Sequence, residues 1–427
     1  MKKNVLVFPC GSEIGLELYK SLQYSTHFHV IGASSLADHG SYVFTDYIEG
    51  LPFVDSDDFI TAINKIVTDR DIKYIFPAHD SVVLKLAQAK SEGKLACEVI
   101  TSNFETCDVA RSKKKTYETL GGILPVPKLY QMEELTDDMF PLFLKPDVGQ
   151  GSKGTQKVER ISDVTFYVEK DPTLLIMEYL PGREYTIDCF TNRDGKLLFC
   201  EGRERTRISN GISVNSARVN DERFRVLAQK IQEKLSFRGV WFFQLKENKD
   251  NEFVLMEIAP RVAGTMGLER AKGVNLVLLS LFDAEGINAE PLENTFSIVI
   301  DRALHNSYKH NIDYKHVYLD FDDTVIVDGN VNVQLMAFVF QCINKGIQTH
   351  LITRHKQVLG DSLNKYRLNN IFDEIIWIQD EREKHTHIEH KDAIFIDDSH
   401  AERKRMFEEH KIPVIDPHAI ESLMENS

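Results

Sequence analysis

The sequence predicts an α/β and α+β multidomain protein. Three observations carry this. The chain has 427 residues, and at about 100–200 residues per domain that length holds two to four domains. Short apolar runs alternate with amphipathic stretches near both ends of the chain, over residues 1–112 and 309–427. Between them, residues 113–308 are dominated by strand-like runs.

Each region follows from its pattern. In residues 1–112, "NVLVF", "FHVIGA" and "IKYIFPA" read as buried strands, and "SEIGLELYKSL" and "SDDFITAINKIVTDR" carry apolar residues at helical spacing. Strands alternating with helices imply a parallel sheet, here a Rossmann-like domain. Its first turn holds Gly11 and Gly15, which suits either a nucleotide loop or a tight strand-to-helix turn. Residues 113–308 open with the basic helix "KKKTYETL" and a Gly/Pro break, then run through "PLFLKP", "TLLIMEYL", "EYTIDCF", "KLLFCEG", "GVWFFQLKE" and "NEFVLMEIAP". That is an α+β arrangement rich in antiparallel strands. "RALHNSYKHNIDYKH" is polar and loosely patterned and is expected to be a linker. After it, "HVYLDF", "IQTHLIT", "EIIWIQ" and "DAIFIDD" alternate with helical stretches as a second α/β unit, 309–427.

Composition narrows the function classes. The net charge is −14, which argues against an electrostatic grip on nucleic acid or anionic lipid. No apolar run is long enough to span a bilayer. The lysines of "MKKNVLVFPCG" imitate a signal peptide, but the apolar run is short and lacks a small-residue cleavage site, so a first β-strand is expected. The six cysteines form no C-x-x-C pair; reduced, mostly buried thiols in a cytoplasmic protein are expected.

The middle region carries a candidate nucleotide clamp. "FLKPDVGQGSKGT" sets Lys145 at the end of a strand, followed by Gly149, Gly151 and Gly154. Glycines let backbone N–H groups approach an anion without a Cβ in the way, and Ser152 adds a hydroxyl. In "MEYLPGREYTID", Glu178 and the backbone of Tyr179 and Leu180 offer an edge for adenine, and Glu184 an acceptor for ribose hydroxyls. Gln244 and Glu257 fall on what read as adjacent strands, and such an oxygen pair suits Mg²⁺. Arg203, Arg205 and Arg207 form a run that fits either phosphate or carboxylate binding or a solvated edge strand, and Arg261 follows Glu257 closely.

In order and spacing, "KKKTYETL…PVPKLY", "FLKPDVGQGSKG", "MEYLPGREYTID", "VWFFQL" and "MEIAPRVAGT" resemble the ATP-grasp superfamily over about residues 1–305. The resemblance implies that Lys113 and Lys145 contact ATP phosphates, that Glu178 and the Leu180 backbone hold adenine, that Glu184 holds ribose, and that Gln244 and Glu257 hold Mg²⁺, with Mn²⁺ as an alternative. It implies activation of a small-molecule carboxylate as an acylphosphate and capture by an amine, with Arg205, Arg207 and Arg261 holding the acylphosphate or the acceptor. A homodimer is an option within the family. The chain departs from the pattern at Ala259, where many members carry Asn, and at the neutral Gln244, where many carry a carboxylate.

The tail has its own chemistry. In "VYLDFDDTVIVDG", Asp320 and Asp322 stand two apart and face one way on an extended segment. One carboxylate as nucleophile, the other as proton carrier, with Mg²⁺ between them, fits the pair; so does an Asp-rich turn. With Thr353 ending an apolar strand, Lys384 in "EREKHTHI" and Asp397-Asp398 ending another strand, the order resembles the haloacid dehalogenase (HAD) superfamily from about Tyr314 onward. The resemblance implies Asp320 as nucleophile, Asp322 as acid and base, Thr353 and Lys384 on the phosphate, Asp320, Asp322, Asp397 and Asp398 at Mg²⁺, and a phosphorylated small molecule as substrate. Little sequence separates the first two motifs, so no inserted cap is expected.

The leading expectation is an ATP-dependent carboxylate–amine ligase with an appended phosphatase. Alternatives are a phosphatase with a kinase or nucleotide sensor attached, or a ligase with a non-catalytic regulatory tail. His79 and Asp80 suit substrate contact, with a helix cap at Asp80 or Ser81 as the alternative, and His305, His310 and His316 are expected to be solvated.

Overall fold

The computed structural model describes residues 2–149, 151 and 153–425. The chain divides into two compact units, Met1–Leu304 and His305–Ser427. No helix among the described residues is long and apolar enough to cross a membrane.

The first unit opens with five parallel strands: β1 (Lys3–Phe8), β2 (Phe28–Ser34), β3 (Tyr47–Glu49), β4 (Ile72–Pro77) and β5 (Glu98–Val99), in the order β3-β2-β1-β4-β5. Val5 and Val7 pack with the helix Glu13–Leu22 on one face, while Leu6 and Phe8 pack with the helices Phe59–Asp69 and Asp80–Ser91 on the other. Burial on both faces is why the strand sequences read as unbroken apolar runs. The two glycines of the first turn have a packing reason. A Cβ on Gly15 would lie 2.2 Å from the Cys10 carbonyl oxygen, and one on Gly11 2.2 Å from the Asp38 carboxyl carbon. Ser12 caps the helix by accepting from Gly15 N at 3.0 Å.

A smaller antiparallel sheet follows: β6 (Leu129–Tyr130), β7 (Leu142–Pro146), β8 (Gln156–Val158) and β9 (Leu174–Glu178), ordered β6-β9-β7-β8. It has a core of its own, with Leu142, Leu144, Val158 and Ile176 around Val164 of the helix Ile161–Lys170. The large sheet contains β10 (Glu184–Thr191), β11 (Leu197–Ser209), β12 (Ile212–Val219), β13 (Gly239–Glu247), β14 (Phe253–Ala259) and β15 (Val299–Asp301), ordered β14-β13-β10-β11-β12-β15 and antiparallel throughout. One face buries Trp241, stacked on Phe237, with the helix Arg223–Gln232. The other face places Phe190, Val240 and Phe242 in the same core as Val5, Val7 and Leu18, so the first sheet and the large sheet share one hydrophobic core.

The arginine run does not lie on a solvated edge. Strand β11 is interior, and Arg203 is buried, donating to both oxygens of the buried Asp188 at 2.6 and 3.2 Å. All six cysteines are free and buried.

Residues 303–314 have no regular structure. The second unit then builds β16 (His316–Leu319), a hairpin of β17 (Ile326–Val327) and β18 (Asn330–Val331), β19 (Gln348–Thr353), β20 (Glu374–Trp377), β21 (Ala393–Ile396) and β22 (Val414–Ile415). Five of these form a parallel sheet ordered β20-β19-β16-β21-β22. Val317 and Leu319 face a core with the helix Val333–Asn344, and Tyr318 faces the opposite core with Met406 of the helix His400–His410. Between β16 and β19 lie only the hairpin and one helix.

Candidate functional site

In the first unit a cleft lies between the small and large sheets, enclosing about 910 Å³ of space continuous with solvent. Lys145 enters it from the end of β7, and the turn after β7 supplies Gly149 and Gly151. Gly151 has a φ of +59°, a backbone conformation that glycine adopts without a Cβ penalty. Ser152 falls outside the described residues. Lys113 reaches the same cleft from the first residue of the helix Lys113–Leu120.

Asp147 joins the two lysine elements. Its carboxylate accepts from Ser112 Oγ at 2.9 Å and from Lys114 N at 2.8 Å, and its carbonyl accepts from Lys113 Nζ at 3.0 Å. The sequence offered a signal for this residue, an Asp directly after Lys145-Pro146, but not its partner 34 residues away. Burial, and then the nearby Lys145 ammonium, push the Lys113 pKa down to about 8.

At the other end of the cleft, Glu178 and Leu180 line the wall with Met177 and Tyr179. Glu178 Oε1 accepts from the backbone N–H of Lys128 at 3.2 Å. Glu184 is bonded by Arg205 and lies 3.5 Å from Lys246 Nζ. On the floor, Gln244 of β13 stands directly opposite Glu257 of β14. Lys145 Nζ is 3.8 Å from Glu257 Oε2, and Arg205 Nη1 donates to Gln244 Oε1 at 3.3 Å. One carboxylate and one amide oxygen form the kind of hard, incomplete donor set that Mg²⁺ completes with phosphates and water. Ala259, where an Asn would extend that set, is packed in the shared core.

The structure therefore brings Lys113, Lys145, Gly151, Glu178, Leu180, Glu184, Arg205, Gln244 and Glu257 to one cleft. It does not bring the other two arginines there. Arg261 is not among the cleft residues; it donates to both Asp80 oxygens at 2.6 and 2.8 Å, and this pairing neutralises it. Arg207 is exposed and pairs with Asp301 at 2.5 Å. Those partners come from distant segments, so the sequence could not show that the two guanidiniums were engaged. His79 caps the helix Asp80–Ser91 through Ser81 N at 3.2 Å.

Residues 170–303 match the family model described as ATP-grasp in the biosynthetic pathway with Ter operon. Among solved structures, the biotin carboxylase domain of Hydrogenobacter thermophilus 2-oxoglutarate carboxylase, in complex with MgADP, ADP and bicarbonate, superposes with a TM-score of 0.58 at 13% identity, over 70% of this chain and 74% of that one. The first unit has the ATP-grasp fold. An L-amino acid ligase from Bacillus licheniformis shares the fold with a TM-score of 0.53 at 16% identity, over 69% of this chain and 75% of that one. In sequence, the chain is 25% identical over 238 residues to the carbamoyl phosphate synthase large chain of Caldanaerobacter subterraneus subsp. tengcongensis, covering 50% of this chain. The matched segment spans 22% of that relative's length.

The second unit has a separate cluster at the C-terminal ends of its central strands. Leu319 pairs with Ile396 in register, so Asp320 and Asp397 leave adjacent strands side by side. Lys384 Nζ lies 2.6 Å from both Asp320 Oδ1 and Asp397 Oδ2. Asp320, Asp397 and Asp398 each offer an oxygen within 4.8 Å of the others, an all-oxygen set that suits Mg²⁺. Burial raises the Asp320 pKa to about 7 against the pull of Lys384. For Lys384 burial acts to lower the pKa, but the two carboxylates outweigh it and the value is raised. Thr353 is buried at the end of β19.

Asp322 is not in the carboxylate cluster. It is half exposed and bonded to His355 Nδ1 at 2.9 Å, and His355 Nε2 is held by Ser362 Oγ at 2.8 Å. His355 is a residue that sequence reasoning missed; its only signal was its place two residues beyond Thr353.

Proposed function

We propose that the first unit is an ATP-dependent ligase, with ATP and Mg²⁺ as cofactors, that joins a small-molecule carboxylate to an amine. The observation that carries this reading is the meeting of Lys113, Lys145 and the opposed Gln244–Glu257 pair in one cleft of an ATP-grasp fold. The substrate carboxylate oxygen attacks the γ-phosphorus and ADP leaves. The amine nitrogen then attacks the acyl carbon, inorganic phosphate leaves, and the amine proton passes to solvent. Bound Mg²⁺ supplies charge neutralisation on the phosphates, and Gln244 and Glu257 are the residues that would hold it. Lys113 and Lys145 stabilise charge on the transferred phosphoryl group. Glu178 and Leu180 face adenine and Glu184 the ribose. Arg205 remains the cleft guanidinium for the acylphosphate, released from Glu184 as ribose binds.

ADP release from MgATP, with and without pools of amino acids and sugar acids, tests the reading. Acceptor-dependent release in the wild type, lost in Lys145→Ala, supports it; no release with any pool refutes it.

A second reading concerns the second unit, and the Asp320–Lys384–Asp397 contacts favour it. We propose a HAD-type phosphatase. Asp320 attacks phosphorus and the alcohol leaves with a proton from Asp322. Asp322 then takes a proton from the water that hydrolyses the aspartyl-phosphate. Lys384 and Thr353 hold the phosphate, and Asp320, Asp397 and Asp398 would hold Mg²⁺. Release of phosphate from phosphomonoesters, absent in Asp320→Asn and retained in Lys145→Ala, is the expected result; equal turnover by Asp320→Asn would refute it.

A further inference from the structure

The second unit carries a group of imidazoles at the end of its sheet opposite Asp320. His316 begins β16, His350 lies in β19, and His390 lies just before β21. Asp320 lies four positions beyond His316, which at about 3.3 Å per extended residue sets the two clusters about 13 Å apart. His316, expected to be solvated, is instead gathered with His350 and His390: each offers one ring nitrogen within 4.8 Å of the other two. His316 is only partly exposed and His350 is buried.

We infer that His316, His350 and His390 form a Zn²⁺ site. His316 Nδ1 and His350 Nε2 are 3.1 Å apart, close to the edge of about 3.3 Å that two nitrogens make when each is about 2.0–2.1 Å from a tetrahedral zinc. The outer nitrogen of His350 is fixed, with Nδ1 2.8 Å from the Glu374 carboxylate. A carboxylate behind a ligating imidazole sets its tautomer, aims the other nitrogen at the metal and raises its basicity. His390 Nδ1 lies 2.7 Å from the Tyr318 hydroxyl; its ring stacks on His316 with centroids 3.5 Å apart and turns out of that stack for the two in-plane lone pairs to converge on one ion. Imidazole is a borderline donor that suits zinc, whereas the all-oxygen Asp320 cluster suits Mg²⁺. Three protein nitrogens leave a fourth position for water. The ion ties the N-terminal ends of β16 and β19 to the segment entering β21, elements that are far apart in sequence. This inference does not depend on either activity proposed above.

The test uses the full chain without an affinity tag, stripped by a chelator and then titrated with Zn²⁺ against a chromophoric indicator. Co²⁺ is added in parallel as a spectroscopic probe. The expected result is one tight Zn²⁺ per chain and tetrahedral-type visible bands with Co²⁺. Both should be lost in His316→Gln and His390→Gln and kept in Asp320→Asn. Circular dichroism and urea unfolding of the metal-free variants confirm that they are folded, and His390→Gln, which lies outside the strands, serves if His316→Gln is not. Absence of tight binding in the wild type overturns the inference. So does binding that survives in a folded histidine variant, or binding lost only in Asp320→Asn.

Discussion

Gln244 and Glu257 face each other directly across β13 and β14, on the floor of the cleft that Lys145 enters. The pair brings one formal negative charge to the floor where two carboxylates would bring two, and Ala259 adds no oxygen. Gln244→Glu should therefore lower the Mg²⁺ concentration needed for half-maximal ATP turnover. Glu257→Gln should raise it and cut turnover. A Mg²⁺ titration at saturating ATP reads both shifts, and an unchanged requirement in both variants would remove these residues from the metal site.

Lys145→Ala should slow acceptor-dependent ADP release by about a hundredfold, the usual cost of about 3 kcal/mol for removing a well-placed electrostatic donor. Steady-state ADP release with a coupled assay measures it. A loss below threefold would mean that Lys145 does not face the transferred phosphoryl group.

Lys113 supplies a pH signature. Its pKa in the free protein is held at about 8 by burial and by Lys145, and a bound polyphosphate raises it again by attraction. A group whose pKa rises on binding takes up a proton, so MgATP affinity should fall as the pH rises through about 8. Calorimetry near pH 8 in buffers of different ionisation enthalpy should register proton uptake that is absent in Lys113→Met. Proton release, or uptake unchanged in the variant, would contradict this.

Asp188 and Arg203 are a buried pair inside the large sheet. Removing one partner leaves an uncompensated buried charge, at a typical cost of about 3–5 kcal/mol. Asp188→Ala should destabilise the first unit by about that much, read by urea unfolding of a Trp377→Phe background in which Trp241 is the remaining indole. A change below about 1 kcal/mol would show that the sheet relaxes around Arg203.

His355 holds Asp322 and is itself held by Ser362. If the second unit is a phosphatase, His355→Gln should shift the pH profile of phosphomonoester hydrolysis and lower kcat more than it changes KM, because it acts through the proton carrier and not through substrate binding. A change confined to KM would assign His355 a binding role instead.

Much of this architecture was legible in the sequence because it rests on local patterns. Apolar runs buried on both faces marked the parallel strands around Val5 and Val317, and the glycine-rich turn after Lys145 marked a loop that lines the cleft. The apolar run before it set Asp320 at a strand end, but period-two spacing failed for Asp322, which lies beyond the strand and turns to His355. What escaped were pairings made across long sequence distances. Arg203 fitted either ligand binding or a solvated edge until β12 covered the far side of its strand and Asp188 met its guanidinium. Arg261 looked free until Asp80 met it from the start of the helix Asp80–Ser91.

The sequence by itself determined which segments are strands and helices and which residue types are available for phosphate and metal chemistry, since periodicity and turn propensity act over a few residues. Only the tertiary structure decided which charges are already spent. Asp147 locks Lys113 to the Lys145 turn, Asp80 neutralises Arg261, and three histidines from separate segments share one space. The physical reason is that charge compensation and ligation depend on distances of a few ångströms between side chains, and those distances are set by how the strands pair, not by the order of residues along the chain.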